Sequence, residues 1–123
     1  CKRLADMAER VLRGEALERA ELAAEIAPVF KTGTDGRRTD TVVLGCTHYP
    51  LIFREIADAA PWPVRLIDPS DAVARQVETV SRKAYGSLSE SGTGSIAYLT
   101  APNPEYRVVF EREGFANTAL LAA

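Results

Sequence analysis

The chain has 123 residues, with 15 Lys plus Arg against 17 Asp plus Glu, one His, two Cys and 46% hydrophobic residues, for a net charge of −2. A length near the usual mode for single domains buries a core without staples, and two cysteines are too few for a disulfide scaffold. The near-neutral balance offers no basic field for gripping phosphates, which argues against nucleic-acid binding, and no stretch is long and apolar enough to span a bilayer. With no leader-like hydrophobic segment, a reducing cytoplasm is the expected setting. The first residue is Cys1 rather than Met, and the chain enters a helical pattern at once, so it reads as a piece of something longer.

Leu4, Met7, Ala8, Val11 and Leu12 fall at the three-and-four spacing of one helical face, and Gly14 is a stop. Leu17, Ala20, Leu22, Ala23, Ile26 and Ala27 predict a second helix ending near Pro28, followed by a polar, Gly-rich surface loop over residues 31–38. At Thr41-Val42-Val43-Leu44 the period changes to a short β-branched run without polar alternation, the pattern of a strand buried on both faces. After Gly45-Cys46-Thr47-His48-Tyr49-Pro50, residues 51–57 read as a helix with Pro50 in its first turn. A strand over residues 64–67 ends at Asp68-Pro69-Ser70. The next helix carries Val73, Ala74, Val77, Val80 and Ala84, with Ser70 or Asp71 as N-cap. Residues 86–94 read as a Ser/Gly-rich flexible loop, residues 95–100 as a third strand, and residues 104–113 as a last helix closed by Gly114. Strands separated by helices predict an α/β domain with a mainly parallel sheet and flanking helices.

In open parallel sheets, ligands sit beyond the carboxyl ends of the strands. Gly45-Cys46-Thr47-His48 is the chemically loaded end here. A Cys between a strand end and a helix start feels the positive end of the helix dipole, which lowers a thiol pKa. Gly45 lets a ligand come close. Thr47 offers a hydroxyl, with amide hydrogens beside it suited to a carboxylate. His48, the only His, exchanges protons near neutral pH. The plainer readings are a small core hydrophobe for Cys46, a cap or core hydrogen bond for His48, a helix cap for Thr47, packing for Tyr49 and a turn or cap for Asp68.

Spacing removes several other uses of Cys46. Arg54 lies too far along, inside the predicted helix, for a phosphatase-type phosphate loop. Zinc needs three or four ligands, and Cys46 with His48 supplies two, with only Cys1 left among the soft ligands, so no metal is expected. No Cys-x-x-Cys is present for a thiol oxidoreductase. A cysteine hydrolase remains conceivable, since Cys plus His is a nucleophile and a base, but a separation of two residues on one turn is poor geometry for that pair.

The block Val42-Val43-Leu44-Gly45-Cys46-Thr47-His48-Tyr49-Pro50-Leu51 resembles the second catalytic-cysteine motif of the glutamate racemases, within the wider aspartate/glutamate racemase group. Ile67-Asp68-Pro69, the helix with Ala72-Val73-Ala74, and Tyr98-Leu99-Thr100 are similar to the segments downstream of that motif in the family. The resemblance implies cofactor-independent, two-base interconversion of L- and D-glutamate, supplying D-glutamate for peptidoglycan. Its small-molecule partner is glutamate, with no nucleic acid or membrane, and a homodimer is an allowed assembly. It makes Cys46 one of two acid/base thiols, Gly45 and Thr47 substrate contacts with Thr47 at the carboxylate, and His48 an assistant to the thiol or the substrate ammonium. A thiol, with an unperturbed pKa of about 8.5, serves as acid or base once its surroundings tune it.

The family is two-lobed, with the site between the lobes and a first cysteine in an early Cys-Asn-Thr block. Cys1 is followed by Lys2-Arg3, so that role is not transferred to it. The expectation is a C-terminal portion: residues 1–68 belong to the lobe of the second cysteine, residues 69–123 return to the first lobe, and the N-terminal half is absent. Such a chain would be inactive alone and would expose apolar surface. A non-catalytic amino-acid-binding remnant and an aspartate racemase are the alternatives.

Overall fold

The computed structural model describes residues 1–86 and 94–121, so most of the predicted loop over residues 86–94 lies outside the described residues. The elements in chain order are α1 (Leu4–Leu12), α2 (Arg19–Ile26), β1 (Thr41–Val43), α3 (Phe53–Ala59), β2 (Arg65–Ile67), α4 (Ser70–Tyr85), β3 (Ser95–Leu99), α5 (Pro104–Arg112) and β4 (Phe115–Leu120), with 3₁₀ turns at Ala27–Val29 and Tyr49–Ile52. Both sheets are parallel pairs joined through helices, the α/β character that the alternation of periods predicts. The chain divides into two compact units, Cys1–Val80 and Ser81–Ala123.

In the first unit, α1 buries Leu4, Met7 and Ala8, and α2 buries Leu22 and Ile26. Asp6 in the first turn of α1 and Arg10 in its last sit on the favourable ends of the helix dipole. Gly14, at φ +85°, takes the left-handed conformation that lets the chain leave the helix. Leu44, Ile52, Ile56 and Ala59 complete the core with α1 and α2. Around it, Arg10 pairs with Glu21 at 3.1 Å and Arg3 with the same carboxylate at 3.3 Å; these exposed or half-exposed pairs orient the helices more than they stabilise them. Beyond the loop at residues 31–38, Trp62 donates from Nε1 to the Thr39 carbonyl at 2.7 Å and meets the Phe30 ring edge-on at 5.5 Å, which anchors the chain on both sides of β1.

β1 pairs with β2 in register Thr41↔Arg65, Val42↔Leu66 and Val43↔Ile67. The expectation of a strand buried on both faces is corrected: Thr41 and Val43 are exposed, Val42 is half-buried, and only Leu44, just past the strand, is fully buried. The physical reason is that this two-stranded ribbon has α1, α2 and α3 packed on one face alone. The helix predicted from residue 51 is also adjusted. Tyr49–Ile52 form a 3₁₀ turn, and Ile52 (φ −120°, ψ 33°) breaks the geometry before α3 starts at Phe53. That break turns Ile52 fully into the core. At α4 the expected cap moves upstream: Asp68 Oδ1 accepts from the Ser70 amide at 2.8 Å and the Ser70 hydroxyl at 2.6 Å. The apolar stripe of α4 faces outward, with Val73, Val77 and Val80 exposed by 58%, 59% and 53%.

In the second unit, β3 and β4 pair in parallel, with a register irregularity between Ser95 and Ile96. Asn103 caps α5 by accepting from the Glu105 amide at 3.2 Å, and Pro104 opens the helix where no amide hydrogen is needed. β4 is an element that the sequence reading does not contain. Phe-Ala-Asn-Thr-Ala-Leu has little strand propensity, and its pairing with β3 makes it a strand.

Candidate active site

Gly45 and Cys46 follow β1 directly, and the Tyr49 amide donates to the Cys46 carbonyl at 3.1 Å, closing a tight turn. The turn is not an α-helix, in which residues two apart point away from each other. It brings Cys46 Sγ within 3.7 Å of His48 Nδ1. The expectation that this spacing is poor for a nucleophile and base is therefore corrected by the local backbone. On the other side of the ring, His48 Nε2 donates to Glu9 Oε1 at 3.0 Å. Glu9 comes from α1, which packs on the 3₁₀ turn after His48. The result is a three-residue chain: thiol, imidazole, carboxylate.

Glu9 is absent from the sequence reading. The only local signal is its place next to Ala8, at the border of the apolar face of α1, where a carboxylate is half-sheltered by neighbouring turns. Its second oxygen, Oε2, is buried without a hydrogen-bond partner among the described residues, with an Arg13 guanidinium nitrogen at 3.9 Å. A negative charge placed there holds the His48 proton on Nε2 and leaves Nδ1 to face the sulfur.

The electrostatics follow from these contacts. The Cys46 thiol is held below its ordinary pKa, first by the His48 amide directed at the sulfur, then by the His48 ring. His48 is raised above its ordinary value, chiefly by the Cys46 sulfur against the opposing effect of burial, with Glu9 adding to it. The two shifts reinforce each other and favour a thiolate beside an imidazolium. The His48 contribution to stability is fully present below its unfolded pKa and is lost as pH rises through the raised folded value. The Cys46 contribution is present above the unfolded thiol pKa and is lost as pH falls through the lowered folded value. Glu9→Gln should lower the His48 midpoint followed by proton NMR, and Cys46→Ala should lower it further because the sulfur is the larger cause. An unchanged midpoint in Glu9→Gln would remove Glu9 from the electrostatic account.

The thiol opens into a cavity of about 470 Å³. One wall is Gly45, Cys46, Thr47 and Pro50, and the other is Pro69, Ser70, Val73 and Ala74 from the start of α4. The structure thus brings Gly45, Cys46 and Thr47 to one cavity, with His48 behind the sulfur. Thr47 is exposed at this cavity, and Asp68 holds Ser70 at the head of α4, the turn role expected of it. Cys1 is elsewhere: its Sγ meets the Glu25 carbonyl at 3.5 Å, and it lines a separate apolar cleft with Leu4, Ile26 and Phe30. Among the described residues, no group of three or more His, Cys, Asp or Glu could hold a metal ion, and no helix is long and apolar enough to cross a membrane.

No protein-family model matches the chain. It is 38% identical over 112 residues to the glutamate racemase of Brucella canis, a match covering 91% of this chain and 40% of that protein. The glutamate racemase of Brucella anthropi matches with the same identity and coverage. Among solved structures, Escherichia coli glutamate racemase in complex with L-glutamate and the activator UDP-MurNAc-Ala superposes with a TM-score of 0.76 and 30% identity, covering 96% of this chain and 44% of that one. The Francisella tularensis glutamate racemase structure, in complex with D-glutamate, has a TM-score of 0.64 at 22% identity, a likeness of fold. The resemblance read from the cysteine block thus extends over nearly the whole chain, and the chain spans about two-fifths of the length of its curated relatives.

Proposed function

We propose that this chain contributes one half of a cofactor-independent glutamate racemase site, with Cys46 as one of its two acid/base thiols. The observation that carries the reading is the Cys46–His48–Glu9 chain at the edge of an open cavity, in a sequence similar to glutamate racemases. The Cys46 thiolate takes the α-proton from one enantiomer, and the charge left on the α-carbon spreads into the carboxylate, near Thr47 and Gly45. His48 keeps the sulfur ionised before the step and compensates the change in charge after it. A proton then returns to the opposite face of the carbon from an acid outside this chain. Cys1 does not supply it, because it lines a different cleft. The setting is the cytoplasm, and the product serves peptidoglycan as D-glutamate.

A chimera tests this, in which the chain replaces the matching 112-residue stretch of the Brucella canis racemase. Chiral chromatography should detect D-glutamate formed from L-glutamate by the chimera and none formed by the 123-residue chain alone. A folded chimera that binds glutamate without exchanging its α-proton would leave the binding-remnant reading in place of racemisation.

A further inference from the structure

We propose that the Cys46–His48–Glu9 chain is also an acyl-transfer centre, whose sulfur takes short, uncharged acyl groups from activated esters and passes them to water. The geometry that tunes the thiol for proton abstraction also supplies a nucleophile, a base 3.7 Å away, and a carboxylate 3.0 Å from the far ring nitrogen that fixes tautomer and orientation. Those are the three roles by which a nucleophile–base–orienter triad is recognised, independently of sequence order or fold.

The cavity favours a particular class of acyl group. Pro50, Pro69, Val73 and Ala74 give it apolar walls, and among the described residues none of its lining side chains carries a fixed charge. Glutamate needs charged or strongly polar partners for two carboxylates and an ammonium, which in the racemase reading come largely from outside this chain. A short aliphatic acyl group needs none of these, and 470 Å³ admits it together with an aromatic leaving group.

The step balances. The Cys46 thiolate attacks the ester carbonyl carbon, a carbon–sulfur bond forms, the carbon–oxygen bond to the leaving group breaks, and the imidazolium gives its Nδ1 proton to the departing oxygen. His48, now neutral, takes a proton from water as the hydroxide attacks the thioester carbon. The carbon–sulfur bond breaks, the carboxylic acid leaves, and thiolate and imidazolium are restored. Glu9 touches no substrate and is a positioning residue. This activity does not depend on the racemase reading, since it requires no second acid from outside the chain.

The test uses the 123-residue chain as Cys1→Ser, so that Cys46 is its only thiol, with 4-nitrophenyl acetate as probe and N-acetylcysteine as the reference thiol. The expected result at neutral pH is nitrophenolate release at least about tenfold faster than with N-acetylcysteine, continuing past one equivalent per chain. Mass spectrometry should find the transient acetyl group on the peptide containing Cys46. Glu9→Gln, which leaves the nucleophile in place, should slow acylation and move its pH–rate profile toward higher pH, as a purely structural defect would not. His48→Asn should slow it further. A rate no greater than that of N-acetylcysteine, or acetylation on lysines in place of Cys46, overturns the proposal. So does an acetyl-Cys46 that never hydrolyses, which removes the transfer to water, or a Glu9→Gln profile identical to the parent with far-ultraviolet circular dichroism unchanged.

Discussion

Cys46→Ala in the racemase chimera is expected to leave no measurable interconversion of the glutamate enantiomers. A positioned general acid or base is worth about 10²–10⁴-fold, and in a two-base reaction the loss of either base closes both directions. The substitution removes a single sulfur from a half-buried position beyond β1, outside the buried core. The protein should therefore remain folded, and the loss should appear in kcat rather than in the amount of soluble enzyme. His48→Asn or Glu9→Gln should give smaller losses, because each leaves the sulfur in place. Racemisation by Cys46→Ala within a few-fold of the parent, followed by circular dichroism at constant enzyme concentration, would refute the acid/base role.

The largest effect on stability is expected at Ile52, for a reason that joins the core to the site. Ile52 is fully buried and lies in the 3₁₀ turn that packs on α1. Truncation to Ala removes three carbons from a core shared with Leu4, Met7 and Ala8, at a cost of about 2–5 kcal/mol. For a small unit whose whole stability is about 5–15 kcal/mol, that is a large fraction. The same turn carries His48 toward Glu9 of α1, so loosening it should weaken the Nε2 to Oε1 hydrogen bond. Urea denaturation measures the first effect and the His48 titration the second. Val73→Ala, on the exposed stripe of α4, is the control, expected within about 0.5 kcal/mol of the parent. An Ile52→Ala loss no larger than the Val73→Ala loss would contradict this account of the core.

The outward stripe of α4 shows how far helical periodicity carries. The spacing of Val73, Val77 and Val80 correctly predicts a helix, but the same spacing argues for a buried face, and the three valines are exposed. Periodicity reports which residues share a face. What covers that face is a property of the surrounding chain, and this chain spans two-fifths of the length of its curated relatives. β4 illustrates the converse, because Asn117 and the alanines of its strand carry no β signal until β3 supplies hydrogen-bonding partners.

For the site, local chemistry was legible and long-range chemistry was not. The sequence by itself determined the alternation of helices and strands as far as α5, the loaded turn after β1, and Gly45, Cys46, Thr47 and His48 as its candidate residues, because turn residues, a short apolar run and a lone His lie within ten positions of one another. The tertiary structure decided that Cys46 and His48 touch despite their spacing, since the turn closed by the Tyr49 amide is not helical. It also decided that Glu9 completes the chain from 39 residues upstream. Only the packing of α1 against the turn after His48 brings that carboxylate to the imidazole, and packing between distant segments leaves no periodic trace in either one.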